Sequence, residues 1–302
     1  MEKMGYLKDR SAGGTCEKII AVIKLVPAIF SGLLGHCLIG LSNRFHSREF
    51  TYWDGKGALI NSEQLKVMHL NVCMFPGSLP CHFGKQTPGT ERMEQLFQSI
   101  EDVQPHLLFL SEFSHVFSPE LYDRLKGEYK TFLINIGSNA LGNEASLVVV
   151  SKIPVLKAQF IPTMVESAGV QKFSYRGYVI IETRDCMYLY AHLHPEETPI
   201  AKNIRRRQLD EIRHITDQGE KPWVILGDMN IDRNHDEYQN MYGFIDHISK
   251  ETITCEEDGA VESIDYVLTR DKRLQVATEV KQDLKLSDHS IIIATISLAQ
   301  KQ

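Results

Sequence analysis

From about residue 64 onward the sequence predicts an α/β fold, two sheets packed face to face and flanked by helices, with an N-terminal apolar helical segment ahead of them. The first observation is a dense series of short, apolar, strand-like runs. The second is that amphipathic helical patterns interrupt that series only a few times. The third is one long apolar stretch near the N-terminus that stands apart from the rest. Across 302 residues the chain is 43% hydrophobic and 24% charged. Those proportions exclude a disordered or fibrous protein. The formal charge of -6 makes it a poor candidate for coating nucleic acid by neutralising phosphates. Six scattered cysteines (Cys16, Cys37, Cys73, Cys81, Cys186, Cys255) include no CxxC pair, which argues against a disulfide scaffold and a zinc ribbon.

The apolar stretch Ile19–Leu41 has 23 residues. At about 1.5 Å per residue it can cross a hydrocarbon core of roughly 30 Å. Lys24 can snorkel to an interface, His36 needs a partner, and Pro27, Gly32, Gly35 and Gly40 loosen or kink a helix. We read it as a membrane anchor or re-entrant segment; a buried helix capping the domain is the competing reading. It is too long for the apolar region of a cleaved signal peptide. Residues 42–63 are polar and aromatic with little periodicity and read as a linker, so residues 1–63 form an N-terminal region and 64–302 the folded domain.

Leu65–Phe75 reads as the first strand. Thr90–Val103 carries Met93, Leu96, Phe97 and Ile100 at helical spacing, with Thr90 as the expected N-cap. Leu107–Glu112 is a buried strand. Thr131–Gly137, Ser146–Ser151, Gly177–Thr183 and Met187–Leu193 continue the series. Ile200–Thr216 is an amphipathic helix carrying Ile204, Leu209, Ile212 and Ile215. Trp223–Asp228, Ser263–Thr269 and His289–Ser297 close it.

Polar residues recur at the ends of these apolar strands: Asn71, Glu112, His192, Asp228, Asn230, Asp265, Asp288 and His289. Each alone has an ordinary explanation as a turn, a cap or a surface charge. Eight in one chain are harder to explain so, because buried strands ending in unpaired polar groups are costly unless those groups pair or bind a metal.

In order, the chain reads LNV at 70–72, LSE at 110–112, AHLH at 191–194, GDMN at 227–230, IDYVL at 264–268 and SDH at 287–289. This ordered set resembles the endonuclease/exonuclease/phosphatase superfamily of DNase I-like, metal-dependent phosphodiesterases. SKIPV at 151–155 and Arg205, Gln208 and Leu209 agree with it. The resemblance covers about residues 64–300. It implies a four-layer α/β sandwich, two packed and mostly antiparallel sheets flanked by helices. It also implies Mg²⁺, with Mn²⁺ as a possible substitute, held by Glu112 with Asn71 and Asp288. His289 would act as base, oriented by Asp265, while Asp228 positions the water. Asn230 would bind the phosphoryl group and His192 would assist proton transfer or transition-state stabilisation. The chain departs from the family at Cys73, where an acid or asparagine is common, and at Ser111, where nucleases commonly have glutamine. Both departures weaken a nucleotide-binding reading.

His194 shares a strand face with His192, which leaves a supporting role open to it. His69, His214, His235 and His247 read as structural or exposed, Arg176 as a solvated strand-end residue, and Arg205–Arg207 as a solvated helix face.

Three features favour a lipid substrate. Ile19–Leu41 would hold the chain at a bilayer. Met74–Gly89 is a long loop after Asn71 with exposed-looking Met74, Phe75, Leu79 and Phe83. The NVCxxPG start and AHLH look similar to neutral sphingomyelinase-like members. The expectation is a membrane-associated, Mg²⁺-dependent enzyme hydrolysing a phospholipid, foremost sphingomyelin to ceramide and phosphocholine. A membrane-tethered nuclease and a phosphoinositide phosphatase are the alternatives.

Overall fold

The computed structural model describes residues 49–74, 87–137, 145–167, 175–257 and 259–299. All belong to one compact unit, His46–Gln302. Ile19–Leu41 and nearly all of the loop after Met74 lie outside them. Among the described residues no helix is long and apolar enough to cross a membrane.

The elements are β1 (Thr51–Asp54), β2 (Gln64–Met74), α1 (Gly89–Val103), β3 (Leu107–Phe113), α2 (Ser118–Leu125), β4 (Thr131–Ile134), β5 (Leu147–Ser151) and β6 (Lys157–Pro162). They continue with β7 (Gly177–Glu182), β8 (Met187–His192), α3 (Pro199–Thr216), β9 (Trp223–Asp228), β10 (Ile245–Asp246) and β11 (Cys255–Glu257). Last come β12 (Ala260–Glu262), β13 (Asp265–Thr269), β14 (Leu274–Lys281) and β15 (Ile291–Leu298). A seven-stranded sheet runs β1-β4-β5-β3-β2-β15-β14 and a six-stranded sheet β10-β13-β9-β8-β7-β6. Each holds one parallel pair, β2 with β3 and β8 with β9. The first pair is joined through α1 and the second through α3, as parallel neighbours require a crossover.

Side-chain alternation along the strands builds the layers. In β2, Leu65 and Val67 enter a core shared with Val179, Tyr190, Leu226 and Val267 of the other sheet. Met68, Leu70, Val72 and Met74 point the opposite way, onto Met93, Leu96 and Ile100 of α1. Leu209 and Ile212 of α3 cover the far side of the second sheet with Leu189 and Ile225. The result is helix, sheet, sheet, helix.

Several expectations need correction. Thr51–Asp54, placed in the linker, is a strand paired with Thr131–Ile134. Its four residues carry no core periodicity, so its sequence gives no sign of pairing. Strands β6 and β14 and helix α2 also escape the pattern. Residues of β14 alternate between half-buried and exposed, and after Leu274 no fully buried position marks the run. Helix α1 begins at Gly89 with Pro88 at the cap and no side-chain cap, so Thr90 does not cap it. Met74 is fully buried, against expectation, because it shares the helix-facing row of β2.

Candidate active site

The strand ends of both sheets meet at one edge of the sandwich. In the second sheet His192 pairs with Asp228 and Asp228 with Asp265, so three polar side chains lie abreast on β8, β9 and β13. Gly227 makes this possible. A Cβ there would lie 1.8 Å from the Ala191 carbonyl oxygen, and its φ of 143° disfavours other residues. Asn71 of β2 reaches across to this row, its Nδ2 donating to Asp228 Oδ2 at 3.0 Å.

Left-handed backbone aims three residues of the site. Glu112 has φ 53°, Cys73 φ 47° and Asn230 φ 51°. Alternation alone would place Glu112 beside Leu108 and Leu110 on the helix side of β3. The break in alternation instead brings its carboxylate 3.6 Å from His192 Nε2. Such conformations persist only where the surroundings fix them. At Cys73 the backbone N–H donates to Asn71 Oδ1 at 3.1 Å. At Asn230 the backbone N–H donates to Asp228 Oδ1 at 2.9 Å, and the side chain to the Leu193 carbonyl at 3.2 Å.

His289 Nδ1 sits 2.8 Å from Asp265 Oδ2, and its Nε2 lies 3.8 Å from Asp228 Oδ2. Ser287 Oγ donates to the Asn71 carbonyl at 2.6 Å and accepts from the His289 backbone N–H at 3.1 Å. It also lies 3.0 Å from Asp288 Oδ1. The structure therefore brings all eight predicted residues to one place.

Electrostatics sort them. Burial works against the charge on Asp265, but His289 beside it, and hydrogen bonds from His289 and His69, hold its carboxyl well below the usual range. Burial likewise opposes a proton on His289, yet the Asp265 charge and hydrogen bond, then Cys255 and Asp228, push it well above the ordinary histidine value. His289 and Asp265 therefore form an ion pair. Burial, then the charges of Arg176 and His289, press His192 well below it. His192 is thus neutral, and its 3.6 Å contacts with Glu112 and Asp228 are not ion pairs. Burial raises Asp228. Glu112 is pushed up to about 7, by burial first, with His289 opposing and Asp228 and Asp288 adding to the rise.

Four carboxylates thus converge on one imidazolium, and two of them are pushed toward their neutral forms. Hard oxygen donors that repel one another in this way fit a divalent cation such as Mg²⁺. Ligand atoms of Asp228, Asp265 and His289 all lie within 4.8 Å of one another. Both Asp265 oxygens are already hydrogen-bonded to imidazoles, however, so that trio is first a proton-handling set. Glu112, with Asn71 and Asp288, offers the better oxygen donors.

Residues outside the eight met their expectations unevenly, and one was missed. His69, read as structural or exposed, is fully buried in the site, between Asp265 and Tyr190. Its position two residues before Asn71, on the same face of β2, was the signal. Arg176 is half-buried rather than freely solvated; its Nη1 donates to the carbonyls of His192 and Leu193 at 3.0 and 2.8 Å. Arg205 is fully buried on Glu237 at 2.7 Å, whereas Arg206 is exposed, so the run is not one solvated face. His194 is buried, its ring on the Pro195 carbonyl and its N–H donating to Gln208 Oε1 at 3.1 Å. His214 and His235 are exposed, and His247 bonds Thr269 Oγ1 at 2.9 Å away from the site. Arg92, on α1, had no sequence signal. It donates to the carbonyls of Val72, Cys73 and Leu286 at 2.7, 2.5 and 2.5 Å.

Solved structures share this architecture. Sphingomyelinase C from Streptomyces griseocarneus superimposes with a TM-score of 0.61 at 16% identity, over 78% of this chain and 99% of that one. A beta toxin variant from Staphylococcus aureus with bound magnesium ions gives 0.61 at 18%, over 76% and 99%. A humanized D. rerio TDP2 gives 0.60 at 17%, over 78% and 100%. Identities this low speak for the fold alone. No curated protein matches the chain. The profile of the Endonuclease/Exonuclease/phosphatase family matches residues 68–289, the span that holds every one of the eight site residues, and the chain belongs to that family.

Proposed function

We propose that this protein is a divalent-metal-dependent phosphodiesterase acting at a membrane, with sphingomyelin, cleaved to ceramide and phosphocholine, as its foremost substrate. The observation that carries the phosphodiester reading is the meeting of Glu112, Asn71 and Asp288 with the His289–Asp265 pair around Asp228. Two things support lipid: the apolar stretch Ile19–Leu41 and the likeness to sphingomyelinase folds. The TDP2 likeness keeps a nucleic-acid substrate as the second reading.

Glu112, with Asn71 and Asp288, would hold Mg²⁺ or Mn²⁺, which when bound polarises the phosphoryl oxygen and offsets charge on the leaving oxygen. The protein's own groups supply the rest. Asp228, fixed by Asn71 and the Asn230 N–H, positions the attacking water. His289 takes a water proton at Nε2 once the carboxylate charge around it is balanced, while Asp265 holds its Nδ1–H. Asn230 has one amide hydrogen on Leu193 and turns the other to a phosphoryl oxygen. Neutral His192 hydrogen-bonds the oxygen that departs and steadies its developing charge, and that oxygen then takes its proton from solvent.

Purified full-length protein should cleave sphingomyelin in vesicles with Mg²⁺ and lose this activity with a chelator. Phosphoinositide vesicles and plasmid DNA serve as the competing substrates. Cleavage of DNA without cleavage of any lipid would overturn the lipid reading.

A further inference from the structure

Asp265 has no unused oxygen. His289 Nδ1 lies 2.8 Å from its Oδ2, and His69 Nε2 lies 2.8 Å from its Oδ1. Its backbone is tied as well: the N–H donates to Thr254 Oγ1 at 3.0 Å, and the carbonyl accepts from Arg233 Nη2 at 2.8 Å. Both His69 and Asp265 are fully buried. An ionised carboxylate only accepts, so Nε2 of His69 carries a hydrogen. Behind it, Nδ1 lies 3.1 Å from the Tyr190 hydroxyl, and the two rings meet edge to face with centroids 5.4 Å apart. Burial holds the Tyr190 phenol well above its ordinary pKa, so the hydroxyl stays protonated. A phenol donates to a bare ring nitrogen and accepts from a protonated one; either way Nε2 keeps its hydrogen for Asp265.

The torsion that turns a carboxyl group is broad, so one hydrogen bond leaves it free to swing. Donors on both oxygens remove that freedom. We propose that His69, backed by Tyr190, is a positioning residue that locks the Asp265 carboxylate with Oδ2 on His289. Its effect on turnover rests on the phosphodiesterase reading; its effect on the hydrogen bond does not.

The test uses the full-length protein with His69→Leu, which removes the donor, and His69→Gln, which keeps an N–H near the same place. The first readout is the His289 Nδ1–H proton resonance in metal-free protein, which requires no substrate. The second is kcat and KM on sphingomyelin vesicles with Mg²⁺. In His69→Leu the proton should shift upfield and broaden through exchange with water. Its kcat should fall about 10- to 100-fold with KM unchanged, the range typical of supporting partners in such sites. His69→Gln should recover most of both. Should His69→Leu not fold, Tyr190→Phe takes its place, with a smaller change in the same direction. An unmoved His289 resonance with normal kcat in the donor-removing variant would overturn the proposal, as would equal losses in the Gln and Leu variants. If wild-type protein cleaves no phosphodiester, the resonance still decides the role of His69 while the functional reading falls on its own.

Discussion

Glu112 and His289 carry opposite burdens. Glu112 is a carboxylate with a side chain only 22% exposed, crowded by Asp228 and Asp288. Its folded pKa of about 7 lies above the ordinary 4.5. Between those values the folded chain holds a proton that the unfolded chain has lost. From this group, metal-free protein therefore loses stability as pH rises through that window, by up to about 1.4 kcal/mol per pH unit. Chemical denaturation of wild type and Glu112→Gln at pH 5, 6 and 7 should show a stability that falls more steeply with pH in the wild type, the difference between the two slopes being the share of Glu112. Because the cation competes with the same proton, Mg²⁺ affinity should weaken up to about tenfold per unit below pH 7. His289→Ala should keep the fold and lower turnover by a factor on the order of 100 to 10,000. Steady-state kinetics beside circular dichroism checks both halves of that expectation, and near-normal turnover would remove His289 from the chemistry.

The βαβ units set how precisely these residues meet. β2 and β3 deliver Asn71 and Glu112; β8 and β9 deliver His192 and Asp228. Helix α1 does more than cover the first sheet. Arg92, 2% exposed, ties the carbonyls of Val72 and Cys73 to that of Leu286, fixing the end of β2 against the turn before Ser287. Replacing it with Met leaves three buried carbonyls short of a donor and should cost about 3 kcal/mol or more. Urea unfolding measures the cost, and the Mg²⁺ concentration needed for activity should rise with it. Most of these elements were legible, because apolar runs of strand length and two strongly periodic helices leave few other readings. Their polar ends were legible too. The aim of Glu112 was not, because strand alternation puts it on the wrong face and only its left-handed backbone corrects that. Arg92 and Arg176 were invisible for a different reason. Their partners are carbonyls, which every residue carries, so no pattern of side chains marks the pairing.

The domain holds its site between two halves that no local segment could bring together. The Asn71–Asp228 bond joins residues 157 apart in sequence, His69–Asp265 spans 196, and Ser287 to the Asn71 carbonyl spans 216. A cation that binds only the folded state should stabilise the whole unit. At 100 times its dissociation constant, Mg²⁺ adds about 2.7 kcal/mol, which raises the melting temperature of a domain this size by roughly 5–10 °C. Scanning calorimetry with and without Mg²⁺ should show that shift in the wild type and lose it in Glu112→Gln. The residues that make the centre were readable because each sits in a short motif; the molecule they act on was not, because the family's fold serves many phosphodiesters. The Ser287 bond has a kinetic meaning as well. Contacts so distant along the chain close late and slowly, after local structure is in place. A chain emerging from the ribosome therefore has no working centre until β15 has been made and has docked beside β2. A hydrolase of this family built this way stays silent throughout its own synthesis.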